Sequence, residues 1–266
     1  MLPEPFQFKI KSHRRVLNAI RVHQPISGAD IARKVGLQSS TLVYILRSLR
    51  QRGFIEQSPG IQRRKAGKPP ILWQLNPERG VAIGIEVIPD ELRATVVNIT
   101  GEIVRQTILT PVQTTGNQAL TVSLRRCMQQ VIEEFNIRTD KLMGAGIALT
   151  GLVDRKNGLI RYSRKLGIQD HHLVQSLSVD FPVEIINDAN AGALGLKWNA
   201  DAMMQNHRHV VFLTLNEKTG YMGAGLILNN RLYEGAYGTA GELTAFVPSL
   251  KHLFERAQAF YGKRAS

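Results

Sequence analysis

GADIARKVGLQSSTLVYILRSLRQRG, residues 28–53, decides how the N-terminal part of the chain is read. Ser27 and Asp30 offer oxygens suited to capping a helix before IARKVG, in which Ile31, Ala32 and Val35 pack inward and Gly36 supplies a left-handed stop. After the turn Gly36-Leu37-Gln38, the stretch SSTLVYILRSLRQRG opens on serines of capping type and sets Leu42, Ile45 and Leu49 on one face until Gly53 ends it. A short helix, a turn containing glycine and a longer helix make a helix-turn-helix. The second helix of that motif enters the DNA major groove N-terminal end first. Gln38, Ser39, Ser40, Thr41 and Tyr44 then face base edges or phosphates, and Arg47, Arg50 and Arg52 meet backbone charge.

Working outward, RRVLNAIRV (14–22) places Val16, Leu17, Ile20 and Val22 at helical spacing ahead of Pro25, which predicts a first helix. Downstream, FIEQSPG (54–60) and ILWQLNP (71–77) read as two strands joined by the basic tip IQRRKAGKPP, a wing that concentrates Arg63, Arg64, Lys65 and Lys68. Cations on such a loop gain phosphate contacts by releasing counterions. Residues 1–75 carry 14 Lys and Arg against 3 Asp and Glu, a net +11, whereas the remainder carries 20 against 18, a net +2. The excess sits in one segment, which points to double-stranded DNA as partner. Read from the residues alone, a solvated basic face, an ordinary charged hairpin and a protein-docking module stay open.

The single cysteine, Cys127, has no companion for a disulfide or a metal site and is expected to be a small helix residue. No run of about 18 apolar residues occurs, and the N-terminal MLPEPFQFKIKSHRR lacks the apolar stretch of a secretion signal, so a cytoplasmic protein without membrane partners is expected.

After Asn76-Pro77 the pattern changes. GVAIGIEVI, ELRATVVNITG and EIVRQTIL are three β-rich runs with a turn at Asn98-Ile99-Thr100-Gly101, a helical pattern covers 117–135, and KLMGAGIALTGLVD returns to a buried strand. This meander, helix and strand resemble the opening of an actin-like nucleotidase lobe. PVEIINDANAGALG (182–195) reads as a strand-to-helix junction where an amide beside a carboxylate suits a polyhydroxylated ligand. The same two residues, Asn187 and Asp188, also suit a plain helix cap.

Three stretches together resemble the ROK group of repressors, open reading frames and sugar kinases: 182–195, KTGYMGAGLILNNRLYEGAYGTAGEL (218–243) and ALTGLVDRKNGLI (148–160). AGKPPILWQLNP (66–77) is similar to the linker of ROK repressors, so the resemblance covers nearly the whole chain. It implies an α/β protein in which residues 1–75 form a winged helix-turn-helix and residues 76–266 an actin-like (ribonuclease H-like) sugar-kinase domain. It also implies a sugar site at Asn187, Asp188, Gly220 and Glu242, with Asp188 at the position of the kinases' general base. The expected function is a regulator of carbohydrate metabolism, a repressor by resemblance, responding to a sugar or sugar derivative; a homodimer is compatible with this. A ROK sugar kinase and a DNA-binding remnant without ligand response are the alternatives.

The chain departs from the family in three ways. Where ROK kinases carry a phosphate loop of the form Asp-x-Gly-Gly-Thr, this chain has Glu86-Val87-Ile88-Pro89-Asp90, which removes the glycines that let backbone amides approach a phosphate. No catalysis and no cofactor are expected. The family's zinc-binding histidine corresponds to Ala245, no cysteine follows, and His252 is a lone imidazole, so no metal is expected. Family members also continue well past the residue matching Glu242, so the rear domain is expected to be incomplete, whether as a short regulator, a disrupted gene product or an expressed fragment.

Overall fold

In a computed structural model, residues 11–59, 70–199, 207–216 and 221–243 are described. The first helix, α1 (Lys11–His23), turns Val16, Ala19 and Ile20 inward. Val22, expected on the same stripe, is only half-buried, because the contact face follows the 16–19–20 positions and leaves 22 off to one side. A two-residue strand, β1 (Ile26–Ser27), leads into α2 (Gly28–Val35). The Ser27 hydroxyl caps α2 by accepting from the Asp30 amide at 3.2 Å, and Gly36 closes it at φ 63°. The third helix, α3 (Ser39–Gln51), buries Leu42, Ile45, Leu46 and Leu49. Its capping position is Gln38, which makes no side-chain cap bond, so Ser39 and Ser40 are exposed first-turn residues and not the caps expected. At its end Gly53 and Phe54 donate their amides to Arg50 and Leu49, both at 2.9 Å, which satisfies the last carbonyls.

Strands β2 (Ile55–Gln57) and β3 (Leu72–Leu75) pair antiparallel, and β1 adds to the other side of β3. The three helices and this small sheet close over Val16, Ile20, Ile31, Ile45, Leu49, Phe54 and Leu75. A 3₁₀ turn (Pro77–Arg79) joins this head to the rest. Arg79 donates to the Arg52 carbonyl at 2.8 Å and lies 4.8 Å from the Phe54 ring, Arg52 lies 5.1 Å from that ring, and Lys141 donates to the Glu78 carbonyl. Arg52 therefore stands half-buried over Phe54 beside the linker, not on the outer face of α3 where the sequence placed it.

The rear part begins with an antiparallel meander, β4 (Val81–Ile88), β5 (Glu91–Asn98) and β6 (Ile103–Leu109). Helix α4 (Asn117–Glu134) crosses over to β7 (Leu142–Leu149), which runs parallel to β4. The hairpin strands β8 (Leu152–Asp154), β9 (Leu159–Ser163) and β10 (Ile168–His171) and a short α5 (Leu173–Leu177) then lead to β11 (Val183–Asn187), parallel to β7. The sheet order β11-β7-β4-β5-β6 is the ribonuclease H-like arrangement. Alternation decides its core. Ile83, Ile85 and Val87 of β4, with Leu92, Ala94 and Val96 of β5, face Leu120, Leu124, Cys127 and Val131 of α4. The opposite face carries Gly84, Thr95 and Gly146, which floor a groove of about 800 Å³ walled by Leu194 and Trp198 of α6 (Asp188–Asn199). Strands β12 (Val210–Asn216), β13 (Tyr221–Leu228) and β14 (Arg231–Leu232) form a second sheet against α6. Cys127 is fully buried, and burial pushes its thiol up to about 11, as befits an inert core residue.

Leu124 is fully buried beneath the five-stranded sheet. Leu124→Ala is expected to lower the unfolding free energy by about 2–5 kcal/mol, read from urea denaturation followed by circular dichroism.

Candidate functional site

The junction of β11 and α6 positions the first candidate group. The Asn187 side chain donates to the Gly151 carbonyl at 3.1 Å and accepts from the Asn190 amide at 3.2 Å, so it caps α6 while holding the β7–β8 loop. Each end of that amide still has one further hydrogen-bonding position. Asp188 accepts from the Ala189 amide at 2.8 Å and lines the cleft.

Glu242 reaches the same cleft from a loop stitched to β13. Gly241 accepts from the Ala224 amide at 2.8 Å, and with φ at +90° a Cβ there would lie 1.8 Å from the Ala224 carbonyl oxygen. Only glycine allows this approach. Burial, and then the negative charge of Asp188, push the Glu242 carboxyl above the ordinary carboxylate range. The cleft measures about 990 Å³, and Glu86, Thr150, Tyr162, Arg164 and Lys165 also line it. The last three come from β9 and the turn after it; the sequence reading missed them because nothing local marks a hairpin that becomes a wall. Asn187, Asp188 and Glu242 are thus brought together, while Gly220 lies outside the described residues. Paired carboxylates, an amide, threonines and a tyrosine suit a ligand rich in hydroxyl groups.

The segment 86–90 forms no loop. Ile88 pairs with Glu91, leaving Pro89-Asp90 as a two-residue turn with Asp90 at φ 61°. Thr114 straps it, accepting from the Asp90 amide at 3.0 Å and donating to the Ile88 carbonyl at 3.2 Å. Among the described residues no group of three or more His, Cys, Asp and Glu side chains is placed to hold a metal ion; Ala245 and His252 lie outside them. Among the described residues, too, no helix is long and apolar enough to cross a membrane.

The second candidate surface is α3. Gln38, Ser39, Ser40, Thr41, Tyr44 and Arg47 are all exposed and share the N-terminal half of the helix and its outer face. Val43, passed over in the sequence because it counted as apolar, is exposed among them. Arg63, Arg64, Lys65 and Lys68 lie outside the described residues.

Because the fold raises the Glu242 pKa above its ordinary 4.5, this group supports stability while protonated and detracts from it as pH rises through the raised value. Glu242→Gln is therefore expected to unfold at a higher temperature than the parent at pH 7.5, with the difference vanishing near pH 4, by thermal melts at both pH values. An equal difference at both pH values would contradict the raised carboxyl pKa, to which burial contributes most and Asp188 next.

Comparison with known proteins adds the ancestry. Residues 82–246 match the model of the ROK family, and residues 11–64 match that of the MarR family. A putative xylose repressor from Caldicellulosiruptor sp. (strain Rt8B.4) is 29% identical over 230 residues, covering 86% of this chain and 56% of the relative. The DNA-binding transcriptional dual regulator NagC of Escherichia coli (strain K12) is 24% identical over 228 residues, covering 86% of this chain and 55% of the relative. The chain thus spans a little over half the length of these curated relatives. A solved ROK family transcriptional regulator, a homologue of the E. coli MLC protein, superimposes with a TM-score of 0.73 at 21% identity, covering 87% of this chain and 58% of its own, which establishes the shared fold. With the family match running through the meander, the Asn187-Asp188 junction and the Glu242 loop, over more than half of the residues, the chain belongs to the ROK family.

Proposed function

We propose that this chain is a sequence-specific DNA-binding transcriptional regulator, a repressor of carbohydrate genes, whose rear part senses a sugar or sugar derivative without phosphorylating it. The observation that carries this reading is one chain holding both an exposed polar and basic reading helix and a carboxylate-lined cleft whose phosphate loop is replaced by the strapped Pro89-Asp90 turn. A general base at Asp188 with no cradle for a phosphoryl donor transfers nothing, which disfavours the kinase reading. The repressor names of the relatives support the regulatory one.

In this proposal residues 1–75 bind double-stranded DNA and residues 76–266 bind the effector, and the protein acts in the cytoplasm as a homodimer with no membrane partner. Asn187, Asp188 and Glu242, with Gly220, contact the sugar; Gln38, Ser39, Ser40, Thr41 and Tyr44 contact the bases and their flanks; and Arg47, Arg63, Arg64 and Lys68 contact phosphates. Helix α6 links the two functions. Its first turn lines the cleft, and near its far end the Trp198 ring lies 4.0 Å from the Arg21 guanidinium of α1. A ligand that prefers one setting of α6 thereby shifts the populations of head arrangements.

The test is binding of the full chain to its own upstream DNA and to a scrambled duplex across a salt series, with xylose, glucose or N-acetylglucosamine present or absent. Preference for the upstream duplex, with affinity falling steeply as salt rises, is expected; equal binding to both removes the regulator. Arg47→Ala is expected to weaken both duplexes alike and reduce the salt slope by about one. Trp198→Ala is expected to leave ligand-free binding near the parent value and to shrink the change a sugar causes, measured by fluorescence anisotropy. No sugar effect on the parent would remove the sensing half.

A further inference from the structure

On α3, positions 40, 43, 44 and 47 fall on one face because residues three and four apart are neighbours on a helix. That face carries Ser40, Val43, Tyr44 and Arg47, with Val43 58% and Tyr44 67% exposed. Among the described residues of the head, all other large apolar side chains are buried or half-buried, apart from Ile71 at the base of the wing. Solubility and helix stability both argue against this placement. A β-branched valine and an aromatic ring are weaker helix formers than Ala, Glu or Lys at an exposed position.

The surroundings select the partner. Helix α3 contains no acidic residue, and Arg47 and Arg50 are exposed on or beside the apolar pair. A helix that offers cations and no acid suits a polyanion, and a DNA-reading helix places a few apolar groups among cations that meet the backbone. In the major groove the apolar feature that distinguishes one base is the thymine 5-methyl group. Val43 is the fifth residue of α3 and Tyr44 the sixth, in the N-terminal half that faces base edges in this motif.

We propose that Val43 and Tyr44 form an apolar reader of thymine methyl groups, which makes this head selective for half-sites with thymine in the major-groove positions under the fifth and sixth residues of α3. The proposal rests on the DNA-binding reading above. Ser40 and Arg47 flank the pair, one within reach of a base or phosphate and the other directed at the backbone. The methyl contacts carry sequence information, and the cations carry affinity.

The experiment uses the full chain and a duplex selected by it from a random pool, against the same duplex with each thymine replaced in turn by deoxyuridine, which removes only the methyl group. At one or two positions per half-site the replacement is expected to weaken binding about fourfold, the change that follows from exposing one buried methyl group. Val43→Ala and Tyr44→Ala, whose melting temperatures should equal or slightly exceed the parent's because both side chains are exposed and alanine is the better helix former, are each expected to bind the selected duplex more weakly and to lose the discrimination at one of those positions. Unchanged binding at every deoxyuridine, selected half-sites without thymine, or discrimination retained by both variants overturns the methyl reader and leaves DNA recognition standing. Equal binding of the parent to selected and scrambled duplexes overturns the DNA-binding reading, and the methyl reader with it.

Discussion

The side-chain amide of Asn187 joins three parts of the molecule. Its oxygen accepts from the first turn of α6 and its nitrogen donates to the loop that follows β7, so the end of one central strand, the start of one helix and the rim of the cleft are held together. Neither bond is strong alone, each being worth about 1 kcal/mol. Their value is geometric. They set the direction in which α6 leaves the sheet, and α6 in turn supports β12 and β13, where a Cβ at Gly225 would lie 2.2 Å from the Ala189 carbonyl oxygen. The loop bearing Glu242 hangs from β13 through Ala224. Asp188 and Glu242 are therefore fixed by one chain of contacts that begins at an amide whose sequence signal reads equally well as a helix cap.

That ambiguity marks how far the sequence is legible. Features set by neighbouring residues were readable: Ser27 and Gly36 bound α2, the alternation in 80–109 gives the meander, and the Asn-Asp junction falls where a strand meets a helix. Features set by distant partners were not. Strand β1 is two residues long and exists because β3 lies beside it. Arg52 looked like a phosphate contact until Phe54 and Arg79 gave it another place. Tyr162, Arg164 and Lys165 become cleft residues only when the hairpin folds toward α6. In the cleft, then, the floor was visible from local pattern and one wall was not.

The two cores meet at a seam. Ile99 and Met143 from the rear part pack against the head, and Arg79 and Lys141 tie the linker to both sides. The stacking of Arg21 on Trp198 lies apart from the linker, so among the described residues the head also touches the helix that starts in the cleft. In the regulator proposed above, this second contact is where a change in the setting of α6 reaches the head.

The turn at Pro89-Asp90 has a thermodynamic meaning for such a device. An enzyme built on this fold converts its ligand, so occupancy depends on turnover and on the supply of a second substrate. In the regulator proposed above, a cleft whose phosphate loop is replaced by a strapped two-residue turn releases its ligand unchanged. Occupancy then follows free concentration alone, as an equilibrium isotherm that reverses on dilution and is indifferent to the energy charge of the cell.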